Sequence, residues 1–182
     1  MISLRLGVPI ALAALLAAVS GGSTSAQTAV AAELKAAYLL NFTKFSEWPD
    51  LPGESPLVLC VLADPSVSRE LSGLARGQRV GNRELQVVKL SSGEAVKPCQ
   101  LLYVAAGAVG DAGPALGEAG QLPILTVSDR EGFADATGTI ELYLERDRMR
   151  FAINVDAVQR SRVRLSSRLL SVARIVHDKN TR

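Results

Sequence analysis

Histidine, cysteine and tryptophan are scarce in this 182-residue chain, which has one His, two Cys and one Trp, while aromatic residues make up only 4% of it. The single histidine, His177, lies near the C-terminus. A Ser–His–Asp or Cys–His catalytic arrangement would therefore depend on a residue beside a fraying end. Two distant cysteines and one histidine also lack the paired ligand spacing of a zinc site. We expect no enzyme activity, no metal site and no cofactor.

Long apolar runs are missing as well. The longest run covers residues 6–19, which is shorter than the roughly 20 residues that a membrane span needs. It follows one positive charge, Arg5, and precedes a stretch of small and polar residues that ends at Ala26. This order is typical of a secretory signal peptide, the alternative being an uncleaved membrane anchor. We predict a signal peptide over residues 1–26 and a single soluble domain over residues 27–182, large enough to bury a proper core.

The export signal determines how the two cysteines, Cys60 and Cys99, are interpreted. In an oxidising compartment an even number of cysteines favours a disulfide, and two residues allow one connectivity. The alternative is a pair of buried thiols, since a free Cys packs as a small hydrophobe. Each cysteine borders an apolar run that has the pattern of a strand. We therefore predict a bridge between neighbouring strands.

Buried strands that alternate with helices predict an α/β fold with a mixed β-sheet flanked by helices on both faces. A C-terminal β-hairpin is predicted to turn at Arg146 and Asp147, because apolar and polar residues alternate strictly on both sides of this pair. Two helices follow it, the first capped by Asn154 or Asp156. The predicted helices cover residues 30–47, 66–74 with Ser66 as the cap, 114–119 and, at the C-terminus, 166–177. The predicted strands cover residues 57–62, 85–90, 101–105, 124–127, 140–145 and 148–155.

Three features are candidates for ligand or partner contact. The first is the loop that contains Ser128, Asp129 and Phe133, at the carboxyl end of a buried strand, where open α/β sheets place their ligands. The second is Arg164 with Arg168, predicted to lie one helical turn apart, because an anion between them would relieve their repulsion. The third is Trp48, just past the end of the first helix. Bases dominate after residue 140, but export and the lack of stacking aromatics there argue against nucleic acid.

Several stretches of the chain resemble the YfiR family, and together they cover nearly the whole mature chain in order. The longest is LKAAYLLNFTKFSEWP over residues 34–49. Others are ILTVSD over residues 124–129 with Gly132 and Phe133 close behind, and FAINVDA over residues 151–157. The last are LSSRLL over residues 165–170 and ARIV over residues 173–176.

The resemblance implies a periplasmic homodimer that represses a membrane-bound diguanylate cyclase by binding its periplasmic sensor domain. Cyclic-di-GMP output and biofilm formation would fall, and an outer-membrane lipoprotein would relieve the repression. The spacing of Cys60 and Cys99 agrees with a disulfide of the family. A second cysteine pair, found in the best-known member, is missing here, so redox control through that pair is not implied. A membrane sensor kinase is the alternative partner.

A small-molecule ligand near the last helix is also implied by the resemblance, with Arg164 and Arg168 as the positions to test. The rival interpretation of the whole chain is a stand-alone periplasmic protein that binds a small anion, motivated by the strand-end loop and the arginine pair. A third, a hydrolase, is disfavoured by the missing histidine constellation.

Overall fold

The computed structural model describes residues 23–178, and the side chains from residue 27 onward. Residues 1–22 of the predicted signal peptide therefore lie outside the described residues. Within residues 23–178 no helix is both long and apolar enough to cross a membrane. The helices are α1 (Ser23–Lys44), α2 (Pro65–Ala75), α3 (Gly113–Ala119), α4 (Phe133–Ala136), α5 (Val155–Ser161) and α6 (Ser167–Leu170). The strands are β1 (Ser46–Glu47), β2 (Leu57–Leu62), β3 (Arg79–Val80), β4 (Arg83–Leu90), β5 (Leu101–Val104), β6 (Leu125–Ser128), β7 (Ile140–Glu145), β8 (Arg148–Asn154), β9 (Arg164–Leu165) and β10 (Arg174–Val176).

Eight of these strands form one mixed sheet in the order β10-β8-β7-β6-β5-β2-β4-β3. The strands from β4 to β7 pair in parallel, whereas the β7–β8 hairpin and the β3–β4 edge are antiparallel. Parallel neighbours need crossover connections, which α2, α3 and α4 provide. The prediction of a mixed α/β sheet with a C-terminal hairpin is therefore confirmed.

The strand β2 shows why the core has two sides. All six of its residues are buried, and successive side chains point to opposite faces of the sheet. Leu57, Leu59 and Val61 pack on the first face, where α1 and α2 bury their apolar stripes. Val58, Cys60 and Leu62 pack on the second face, where α3 covers the sheet. Helices thus lie on both faces, as the sequence predicts.

The second face changes character toward β6, β7 and β8. On the disulfide side it is apolar, but further along the sheet it carries buried polar side chains instead of aliphatic ones. These are Thr126, Ser128, Thr139, Glu141 and Asn154. Buried polar groups need hydrogen-bond partners, so this part of the sheet is built from specific contacts rather than from apolar packing alone.

The predicted helix over residues 166–177 is wrong. Only α6 forms there, with the Ser166 hydroxyl accepting a hydrogen bond from the backbone N–H of Leu169 at 3.2 Å. The chain then turns and adds β10 to the sheet edge, where Ile175 pairs with Ile153 of β8 in parallel. The apolar spacing favours a helix locally, but the open edge of β8 offers backbone hydrogen bonds to a β-branched segment.

Two smaller expectations also need correction. The first helix ends at Lys44 rather than Glu47, because Ser46 and Glu47 pair with β9 as β1. Ser66 does not cap α2: the Asp64 side chain accepts from the backbone N–H of Val67 at 3.0 Å, with Pro65 in the first turn. The prediction that Asn154 caps α5 is confirmed, since its side-chain oxygen accepts from the Ala157 N–H at 3.0 Å.

Candidate functional site

Asp129 lies directly after β6, at the carboxyl end of the parallel strands, and joins three parts of the chain. Its Oδ2 accepts from Lys35 Nζ of α1 at 2.6 Å. Its Oδ1 accepts from the Tyr103 hydroxyl of β5 at 3.0 Å and from the backbone N–H of Ala106 at 2.8 Å. The carboxylate therefore connects the first helix to the ends of two neighbouring strands.

The electrostatics of this cluster keep Asp129 charged and Tyr103 protonated. Burial raises the pKa of Asp129, but hydrogen bonds and charge from Lys35, with help from Tyr103 and Ala106, outweigh it and leave the pKa lowered. Burial, followed by the nearby charge of Asp129, raises the pKa of Tyr103 far above its usual range. Asp129 thus fixes the loop that sequence analysis singled out.

The other two residues of that loop are buried. The Ser128 hydroxyl accepts from the backbone N–H of Arg130 at 3.2 Å and has no exposed surface. Gly132 adopts a φ of 74°, which favours glycine, and directs the chain into α4. Phe133 opens that helix, and its ring packs so closely on Gly138 that a Cβ there would lie 2.1 Å from the ring.

An open groove of about 1040 Å³ lies beside Phe133, between α3, α4 and α5. Thr126 and Thr139 line its floor, with their hydroxyl oxygens 2.8 Å apart. Each hydroxyl also accepts the backbone N–H of the other residue, both at 3.0 Å. The pair could not be predicted from the sequence, because two threonines 13 residues apart give no pattern that marks them as neighbours.

Asp178, the last described residue, lines the groove together with Arg160 of α5. The Asp178 carboxylate contacts the Arg160 guanidinium and accepts from Asn154 Nδ2 at 2.8 Å. The hydrogen bond from Arg160 holds the pKa of Asp178 below its usual range and raises that of Arg160. Asp156 accepts the backbone N–H of Asp178 at 3.0 Å and lies 3.2 Å from His177 Nδ1. These contacts tie the segment after β10 to α5.

The remaining predicted contact residues lie elsewhere. Arg164 and Arg168 are both exposed, but they are not one helical turn apart, because Arg164 belongs to β9 and Arg168 to α6. Trp48 is buried among the apolar residues of the first face. Its indole N–H has no hydrogen-bond partner within the described part of the chain.

The disulfide prediction is confirmed: Cys60 of β2 is bonded to Cys99, just before β5, across a sequence separation of 39 residues. Among residues 23–178, no group of three or more His, Cys, Asp or Glu side chains could hold a metal ion.

Three exposed apolar side chains belong to β7, to β10 and to the segment just before β10. Leu144 of β7, Val172 before β10 and Ile175 of β10 are all exposed. The Arg174 guanidinium lies over the Tyr143 ring, 5.2 Å from its centroid. A short strand at the end of the sheet, with exposed apolar side chains, is suited to contact with another protein.

A match to a known protein family shows the family to which this chain belongs. The sequence profile of the YfiR/HmsC-like family matches residues 32–174, which includes the C-terminal part of α1, the sheet up to the start of β10 and the disulfide. The chain belongs to the YfiR/HmsC-like family. Members of this family are periplasmic and regulatory rather than catalytic, and the Cys60–Cys99 disulfide is consistent with that compartment. No curated protein matches the chain by sequence.

Proposed function

We propose that this protein is a periplasmic regulator that binds the periplasmic domain of an inner-membrane diguanylate cyclase and represses the enzyme. Cyclic-di-GMP and biofilm formation fall as a result. The family match over residues 32–174 is the observation that carries this proposal. The bridged pair Cys60–Cys99 supports it, because a disulfide persists in the oxidising periplasm. Capture by an outer-membrane lipoprotein would relieve the repression, and a membrane sensor kinase is the alternative target.

The contact surface in this proposal is the edge formed by β10 and the end of the β7–β8 hairpin. Its exposed apolar residues, Leu144, Val172 and Ile175, would be desolvated by the partner. The exposed arginines of β8 and β10, Arg148, Arg150 and Arg174, would favour a partner with an acidic face, although Glu145 pairs with Arg150 at 3.7 Å. An aspartate at one of these apolar positions would resist desolvation and would repel an acidic partner.

Deletion of the gene tests the regulatory role directly. We expect cellular cyclic-di-GMP to rise and to return to its original level when the intact gene is restored. The partner cyclase should also co-purify with the protein from solubilised membranes. An unchanged cyclic-di-GMP level, with no membrane cyclase or kinase co-purifying, would contradict the proposal.

Complementation with surface variants tests the β10 edge separately. Ile175→Asp should fail to restore repression, while Leu74→Asp should restore it. The two positions are matched, since Ile175 is 43% exposed and Leu74, on α2 away from this edge, is 39% exposed. Equal abundance of both variants in the periplasm is the required control. If Ile175→Asp represses normally, the partner binds another surface.

A further inference from the structure

The threonine pair on the groove floor contains a donor without an acceptor. Thr126 and Thr139 carry two hydroxyl hydrogens, and one of them lies between the two oxygens at 2.8 Å. Each oxygen already accepts a backbone N–H. The second hydrogen has no acceptor among the described contacts of either residue, although both side chains are more than nine-tenths buried. Because buried donors are almost always paired, this hydrogen indicates an acceptor supplied from the groove.

The mouth of the groove offers both donors and acceptors. The Arg160 guanidinium is about half exposed and has five N–H groups, of which the contacts to Asp178 use two. The Asp178 carboxylate accepts from Arg160 and Asn154 and keeps part of its acceptor capacity. Asp135 also lines the groove. The Arg160 and Asp178 charges are paired with one another, so they offer no net positive charge to a ligand that is itself an anion.

The walls leave room for a compact ring. Gly117 of α3 lies on one wall, and a Cβ added to it would meet no atom within 4 Å. Phe133 contributes an aromatic surface on another wall. Apolar ring atoms together with a few converging polar groups are the usual composition of a small-molecule site.

We propose that this groove binds a small neutral ligand rich in hydroxyl groups, of the monosaccharide class. One ligand hydroxyl accepts the free hydrogen of the Thr126–Thr139 pair, and others bind Arg160 and Asp178 at the mouth. A hydroxyl both donates and accepts, so it satisfies this mixture of groups without adding charge. The site differs from the β10 edge, and its existence does not depend on the regulatory function.

The test is an amide NMR titration of the mature protein with D-glucose, D-galactose and N-acetyl-D-glucosamine, each up to millimolar concentrations. We expect at least one sugar to cause saturable shifts of the Thr126, Thr139 and Gly117 amides. Thermal stability alone would mislead, because sugars are excluded from protein surfaces and stabilise any folded protein.

Two matched variants decide whether the groove is responsible. Gly117→Leu adds a side chain to the groove wall, and we expect it to weaken sugar binding by about tenfold or more. Gly73→Leu makes the same change at an exposed position of α2, where an added Cβ also meets no atom within 4 Å, and should bind like the original protein. The absence of shifts with all three sugars, binding that survives in Gly117→Leu, or tighter binding of succinate, titrated in parallel as an anionic comparison, would each overturn the proposal. None of these outcomes bears on repression of the cyclase.

Discussion

Asp129 shows how one residue can organise a site without being exposed to a ligand. It accepts hydrogen bonds from Lys35 of α1, from Tyr103 of β5 and from Ala106 just after β5, so it joins two distant segments to the loop after β6. The loop after β6 is therefore held by charge-assisted hydrogen bonds, which are stronger than neutral ones. Its position at the carboxyl end of a strand could be inferred from the sequence, but its partners could not.

We expect Asp129→Asn to lower the free energy of unfolding by about 1–3 kcal/mol, because it removes the charge that pairs with the partly buried Lys35. The lowered pKa of Asp129 determines how the free energy of unfolding depends on pH. The stabilisation by the charged carboxylate is fully present above the ordinary pKa of 3.8, and it is lost as the pH falls through the lower pKa of the folded state. Urea unfolding across this pH range should therefore show the variant and the original protein converging at low pH.

Asp111→Asn is the control for this prediction, since it makes the same change at an exposed position. It should alter stability by no more than a few tenths of a kcal/mol. A constant difference between Asp129→Asn and the original protein down to the lowest pH would contradict the pairing of Asp129 with Lys35.

At the scale of single elements, local chemistry determines where α2 begins. Asp64 accepts the Val67 N–H and Pro65 occupies the first turn, where its missing N–H costs no hydrogen bond. The sequence analysis predicted Ser66 as the cap. Asp64 is the cap instead, because it lies just before the helix with non-helical dihedral angles (φ −135°, ψ 88°), whereas Ser66 lies inside the helix.

Asp64→Ala should therefore destabilise the protein by about 1 kcal/mol, the usual effect of losing an N-cap. Ser66→Ala, two residues away, should change the free energy of unfolding by a few tenths of a kcal/mol at most, because it lies inside the helix. Both values follow from urea denaturation. A larger loss for Ser66→Ala than for Asp64→Ala would restore Ser66 as the cap.

The Cys60–Cys99 disulfide stabilises the protein by joining two elements, β2 and the segment before β5. A sequence separation of 39 residues gives a chain-entropy stabilisation of about 4 kcal/mol. We expect the double variant Cys60→Ala with Cys99→Ala to lose roughly this amount in urea unfolding. A reductant should lower the stability of the original protein by a similar amount and leave the double variant unchanged. Insensitivity of the original protein to reductant would contradict a structural role.

The end of the chain shows where local pattern fails. Leu165, Leu169, Val172 and Val176 have helical spacing, yet the chain forms α6 and then β10. Periodicity reports only which residues of one segment share a face. It contains no information about an open sheet edge formed by β8, and that edge decides the conformation of residues 174–176.

At the scale of the whole molecule, α1 carries an apolar surface that no described element covers. Val30 is 64% exposed and Leu34, one turn later, is 40% exposed. We propose that these residues belong to the interface of a homodimer, the assembly implied by the family resemblance. Apolar side chains spaced by four residues on one helix face suit packing against a second copy.

Sedimentation of the purified mature protein should therefore show a dimer. Leu34→Asp should raise the dimer dissociation constant at least about tenfold, since a charge would be buried in the interface. Leu74→Asp, at nearly the same exposure on α2, should leave the dimer intact. A monomer in the original protein, or a dimer unaffected by Leu34→Asp, would contradict this assignment.

The sequence by itself determined the parts of this protein that depend on burial of a single segment. We could predict the continuous apolar run of β2 and the alternation of β7 and β8, because the burial of side chains imposes a periodic pattern on the sequence. The cysteine pair could be predicted as well. The tertiary structure alone decided which distant groups meet. Lys35 and Asp129 are 94 residues apart, and Thr126 meets Thr139 only through the order of the strands. Such contacts arise from strand order and crossovers, which local periodicity does not encode.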